Sequence, residues 1–138
     1  MICLSCTEKT LDEDLKLIEQ NNEYIDIVEI RADFLNAAEL IELDKFPDRT
    51  GLPCILTYRW PKDRTPSNKE PDSRSDSSIG VDERAGILIH ALKGSWAYVD
   101  LEDDADSQAE NEVIKAALDS GTHVIKSLHD FNGVPDNL

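Results

Sequence analysis

The sequence is poor in positive charge. Lys and Arg number 14 against 29 Asp and Glu, a formal net charge of −15, so nucleic acid and anionic membrane surfaces are not expected partners. An anionic substrate would need arginines placed locally to overcome that field. Cysteine is scarce as well: Cys3, Cys6 and Cys54 are too few, and odd in number, for a disulfide framework. The stretch CLSC spells C-x-x-C, but no second such pair exists, and a strand sets Cys3 and Cys6 on opposite faces. Two small residues on a buried strand are expected there, rather than a redox or zinc pair. No stretch reaches the roughly 18 apolar residues of a membrane helix. The opening MICLSCTEKT lacks a basic patch followed by a long apolar segment, so no secretory signal is expected and the expected compartment is the cytoplasm. Glycine is missing from TEKT, the turn after the first apolar run, where a dinucleotide-binding fold needs a glycine-rich loop.

What is present is a regular alternation. With 138 residues, 40% of them hydrophobic, the chain has enough apolar material for the core of one domain. ICLSC (2–6) reads as a short buried strand. TEKTLDEDLKLIEQNN reads as a helix, with Thr10 and Glu13 at capping-box spacing and Leu11, Leu15 and Ile18 at helical intervals. EYIDIVEIRADF, LPCILTYRW, WAYVDLE and HVIKSLHDF read as strands. NAAELIELDKF, DERAGILIHALKG and DSQAENEVIKAALDSG read as helices, the last with Ser107 and Glu110 as a capping box and Gly121 as C-cap. The order β-α-β-α-β-α-β-α-β predicts an α/β fold of parallel strands with right-handed helical crossovers. An open doubly wound sheet and part of a (β/α)8 TIM-type barrel both fit, and the glycine-free first turn takes weight from the former. One stretch, 61–84, breaks the rhythm: it is polar, holds three of the six prolines and follows the third strand. It reads as a long loop, either a surface insertion or a lid over the active face.

Charge gathers where the strands end. In VEIRAD, Glu29, Arg31 and Asp33 share one strand face while Val28, Ile30 and Ala32 take the other. In CILTYR, Ile55, Thr57 and Arg59 share a face. In YVDLED, Asp100 and Glu102 do, and in VIKSLHDF, Ser127 and His129 do, with Lys126 and Leu128 opposite. Four successive strands thus end in polar groups that fit one interior face, the layout of a barrel active site.

These motifs, VEIRADF (28–34), ILTYR (55–59), YVDLE (98–102) and VIKSLHDFNGVP (124–135), resemble the type I 3-dehydroquinate dehydratases. The resemblance covers nearly the whole chain and implies about the first five βα units of the eight-unit barrel, so that 1–138 would be a partial barrel domain. It implies a lyase of the shikimate pathway, serving aromatic amino acid biosynthesis, that removes water from 3-dehydroquinate to give 3-dehydroshikimate. A lysine amine condenses with the substrate ketone, and the imine (Schiff base) makes the adjacent C–H acidic. No metal or organic cofactor is implied. His129 is similar to the family's general acid/base, and its ordinary pKa near 6.5 suits proton exchange at neutral pH. Glu29, Arg31 and Arg59 resemble the substrate-holding residues, chemically apt for a polyhydroxylated carboxylate.

Two departures from the family pattern stand out. Asp63 falls where the family has a glutamate that orients the histidine, one methylene shorter and without the following two glycines. The imine-forming lysine is expected on the strand after the histidine strand, and the sequence ends at Leu138 before one. Lys126 has the wrong strand parity, and Lys62 on the polar loop is a weak substitute. The expectation is therefore an incomplete barrel, inactive alone, with open sheet edges that allow self-association. The alternative is a noncatalytic half-barrel that binds a small carboxylic acid or a partner protein.

Overall fold

The computed structural model describes residues 1–59, 81–102, 107–128 and 133. Five strands form one parallel sheet: β1 (Cys3–Cys6), β2 (Ile27–Arg31), β3 (Cys54–Thr57), β4 (Tyr98–Glu102) and β5 (His123–Ser127). Their order in space, β1-β2-β3-β4-β5, is their order in sequence. A doubly wound sheet must reverse direction somewhere, because its helices cover both faces. This sheet never reverses. Right-handed crossovers added always to the same edge place every helix on the same side, which is the winding of a β/α barrel.

The helix side holds the core. Cys6, Val28, Ile30, Leu56, Val99 and Leu101 from the sheet pack in one cluster with Leu11, Ile18, Leu88, Leu92, Val113 and Ala117 from the helices. Val28, Ile30, Leu56 and Val99 are each 0% exposed, and burial of such a side chain contributes about 1.5–3 kcal/mol. The alternating residues Ser5, Glu29, Ile55, Thr57 and Asp100 take the opposite face. Helix α1 (Leu11–Asn21) starts as its sequence predicts. The Thr10 hydroxyl accepts from Glu13 N at 3.2 Å, and Asp12, Glu13 and Asp14 occupy the first turn, where the helix dipole favours anions. Helix α4 (Ser107–Ser120) closes on Gly121 at φ 74°. Thr122 N donates to Ala117 O and Gly121 N to Leu118 O, the paired bonds of a Schellman cap.

Three local details differ from the sequence reading. The stretch expected to be one helix after β2 is a 3-10 segment (Ala37–Lys45) followed by the short α2 (Pro47–Thr50). Its backbone acceptors are drawn elsewhere: the Ile41 carbonyl accepts from His90 Nε2 at 2.9 Å on helix α3 (Val81–Ala91), and Pro47 has no N–H to continue a ladder. Helix α3 begins at Val81, so the last four positions of the 61–84 stretch are helical; positions 61–80 lie outside the described residues. Strand β2 ends at Arg31, and Asp33 stands in a 3-10 turn (Ala32–Phe34) rather than on the strand.

Candidate active site

The inner face carries its polar groups at the carboxyl ends of the strands. Glu29 of β2 pairs in register with Ser5 of β1 on one side and Ile55 of β3 on the other. Its carboxylate is held from both neighbouring strands: Ser5 Oγ donates to Oε2 at 2.7 Å, and Thr57 Oγ1 donates to Oε1 at 2.8 Å. Each carboxylate oxygen can accept a further hydrogen bond, so the clamp aims Glu29 without exhausting it.

Arg31, one pleat higher on β2, pairs in register with Thr57. The 3-10 turn folds Asp33 back beside it. Nε and Nη2 of Arg31 donate to Oδ1 and Oδ2 of Asp33 at 3.0 and 2.8 Å, a two-point fork. The guanidinium carbon also lies 4.8 Å from the centre of the Phe34 ring. The Asp33 side chain is 0% exposed and that of Arg31 is 17% exposed. A guanidinium has five N–H donors, so the two spent on Asp33 leave the Nη1 pair and one Nη2 hydrogen for the open side.

Arg59 follows β3 by two residues. Its backbone N–H donates to the same Asp33 Oδ1 at 3.3 Å, and its Nη2 lies 4.0 Å from Asp100 Oδ2 on β4. Among the described residues the second Asp100 oxygen is buried with no hydrogen-bond partner, as is Ser127 Oγ on β5. Glu102, in register with Ser127, is buried. Below this polar rim, Tyr98 and His123 are neighbours in register, their rings 5.7 Å apart. The structure thus brings Glu29, Arg31 and Arg59 together on the carboxyl-end side of β2 and β3. His129 and Asp63 lie outside the described residues.

Lys126 points the other way, as its parity predicts: its ammonium is paired with Glu110 of helix α4, in the helix layer. The C-x-x-C pair is likewise split. Cys6 is buried in the core cluster, and Cys3 is exposed on the inner side, its thiol pKa raised by partial burial first and by the Glu29 carboxylate second. Ser5 was absent from the sequence-derived site. Its signal is the alternation of Cys3 and Ser5 with Leu4 and Cys6, which aligns a small hydroxyl with the Glu29 face.

A parallel β/α sheet wound in one direction, with carboxylates and arginines at the strand carboxyl ends, is part of a β/α barrel. The chain belongs to the type I 3-dehydroquinase family, a family of lyases, whose model matches residues 2–138. Curated relatives named 3-dehydroquinate dehydratase include one from Methanosarcina mazei, 35% identical over 136 residues. Another, from Methanocaldococcus jannaschii, is 29% identical over 137 residues. They cover 93% and 98% of this chain, which spans 50% and 56% of their lengths: about half of the relatives it matches. Among solved structures, the 3-dehydroquinate dehydratase of Enterococcus faecalis superposes with a TM-score of 0.76 at 20% identity, covering 96% of this chain and 55% of its own. A type I 3-dehydroquinate dehydratase from Clostridium difficile, solved with covalently modified comenic acid, gives 0.76 at 23% identity, covering 96% and 52%. This structural likeness carries the fold, a partial barrel.

Proposed function

We propose that these residues form the substrate-holding and proton-transferring part of a 3-dehydroquinate dehydratase of the shikimate pathway. The observation that carries the reading is the pre-set cluster at the carboxyl ends of β2 and β3. Glu29 is clamped by Ser5 and Thr57, Arg31 is forked onto Asp33, and Arg59 is tied to the same carboxylate. In the proposed reaction Glu29 accepts hydrogen bonds from substrate hydroxyls, while Arg31 and Arg59 donate to its oxygens. His129 takes the proton from the carbon next to the imine and returns it to the departing hydroxyl, which leaves as water. Asp63 orients His129, in place of the longer glutamate of the family pattern.

The electron sink is a lysine amine that loses water with the substrate ketone to form the imine. Lys126 does not fill that role, because its ammonium is engaged with Glu110 on the helix side. General-base help from a histidine alone is worth about 10²–10⁴-fold, against about 10⁶-fold or more for an enzyme. The 138 residues expressed alone are therefore expected to show no enzyme-like turnover. The site of action we propose is the cytoplasm. The supporting features are three unbridged cysteines, two of them buried as small core groups, and the absence among the described helices of any long and apolar enough to cross a membrane.

The test is a chimaera in which these 138 residues replace the matching half of the Methanocaldococcus jannaschii relative, assayed beside the chain alone. The chimaera should dehydrate 3-dehydroquinate, and borohydride with substrate should trap an adduct on a lysine outside the 138 residues. His129→Ala in the chimaera should keep substrate binding and lose turnover. A trapped adduct on a lysine of this chain, with turnover lost on its replacement, would overturn the division of labour. A folded chimaera that neither binds nor converts 3-dehydroquinate would overturn the function.

A further inference from the structure

Asp33 is placed to govern two arginines at once. Its side chain is completely buried. One carboxylate oxygen takes Arg31 Nε and the backbone N–H of Arg59, and the other takes Arg31 Nη2. Arg31 ends β2 and Arg59 stands two residues past β3, so a single carboxylate couples the ends of two neighbouring strands. The local backbone makes this possible. Strand β2 stops at Arg31, whose φ of −85° and ψ of 84° leave the extended region, and the 3-10 turn through Ala32–Phe34 swings the i+2 carboxylate back under the guanidinium. A continued strand would hold the two side chains parallel and a full pleat repeat apart.

We infer that Asp33 is a positioning residue: it fixes the roll of the Arg31 guanidinium and the departure of Arg59 from β3, so that both face the site before any ligand arrives. The inference rests on the substrate-holding role proposed above for Arg31 and Arg59. The fork occupies the Nε edge of Arg31, so the group offered to a ligand is the Nη1 end. With an anion already on its other edge, that end serves as a hydrogen-bond donor to a hydroxyl or carbonyl oxygen better than as the counter-ion of a carboxylate. An arginine held in advance loses little rotamer freedom when ligand arrives, which is where positioning gains affinity.

The experiment uses the 138-residue chain labelled with nitrogen-15. In the unsubstituted chain the Arg31 Nε–H should exchange with solvent at least 10-fold more slowly than that of the half-exposed Arg49. Asp33→Asn keeps an oxygen for the Arg59 N–H but removes the charged fork; it should raise the Arg31 exchange rate at least 10-fold. In the chimaera, Asp33→Asn should raise KM for 3-dehydroquinate about 10-fold or more, with a smaller effect on kcat. In an Arg31→Ala background the same substitution should cost far less, since most of its effect passes through Arg31. Asp33→Glu, which restores the charge, should recover part of the loss. Arg31 Nε–H exchange as fast as that of Arg49 in the unsubstituted chain overturns the inference even if every variant misfolds. Additive effects of Asp33→Asn and Arg31→Ala overturn it too. If the chimaera ignores 3-dehydroquinate while Arg31 exchange slows as expected, the functional reading falls and the hold of Asp33 on Arg31 stands.

Discussion

The Thr57 hydroxyl donates to Glu29 Oε1 across 2.8 Å, joining the carboxyl ends of β3 and β2 on the inner face. Thr57 is 2% exposed, so the bond is shielded from water, and a hydrogen bond to a charged group contributes about 1.5–3 kcal/mol. Thr57→Val preserves shape and removes the donor. It should weaken 3-dehydroquinate binding about 10-fold in the chimaera, read by calorimetry, while Thr57→Ser should retain most of the affinity. Equal losses in Val and Ser variants would point to packing rather than the hydroxyl.

Asp14 introduces a pH dependence. It is 0% exposed on α1; Oδ1 accepts from Glu8 N at 3.0 Å, and Oδ2 is buried with no hydrogen-bond partner among the described residues. Burial, the largest cause, raises its pKa to about 6 against the backbone hydrogen bond that lowers it. A carboxyl group with a raised folded pKa stabilises the fold while protonated. That contribution is complete below the ordinary value of 3.8 and is lost as pH rises through about 6. Asp14→Asn should match the parent near pH 4 and exceed it at pH 7 by about 1–3 kcal/mol. Denaturant titrations at the two pH values measure the difference, and a gap that shrinks from pH 4 to pH 7 would reverse the assignment.

The three thiols should separate by reactivity. Burial pushes Cys6 up to about 12, with Asp14 adding to it; burial also raises Cys54. Cys3 is exposed, its thiol raised by partial burial and then by the Glu29 carboxylate. At pH 7.5 a disulfide reagent should label Cys3 first, and Cys6 and Cys54 only with denaturant. Glu29→Gln should speed the Cys3 reaction, because removing the anion favours the thiolate. Unchanged kinetics would separate Cys3 from the site electrostatically.

Gly94 lies where α3 gives way to β4. A Cβ built there would overlap the Asp44 carbonyl of the 3-10 segment. Backbone cannot yield as a flexible side chain does, so Gly94→Ala should cost about 1–3 kcal/mol or more. A fall in Tm of roughly 5–10 °C by calorimetry is the expected reading for a domain of this size.

Much of this was legible from strand parity. The alternation in VEIR assigned Val28 and Ile30 to the core and Glu29 and Arg31 to the other face, and Lys126 fell on the helix side by the same count. The Thr10 cap and the Gly121 stop followed from local chemistry. Parity failed where the strand itself ended. It put Asp33 on the strand beside Arg31, while the chain turns there and makes that carboxylate a buried partner instead. It also gave no hint that Asp14, three positions after a helix start rich in acids, would be the one fully buried. Helical periodicity over 36–46 overlooked that His90, remote in sequence, would claim the Ile41 carbonyl.

The strand order also bears on how the chain is made. Each strand after β1 pairs with the one synthesised just before it, so its template has already left the ribosome. Among the described strands no pairing skips a neighbour in sequence, and the longest connection, from Thr57 to Tyr98, closes at an entropic cost that grows only slowly with length. This order allows the strands to be added one after another from the amino-terminal one onward. The clamp on Glu29 draws only on β1, β2 and β3, so it needs neither β4 nor β5.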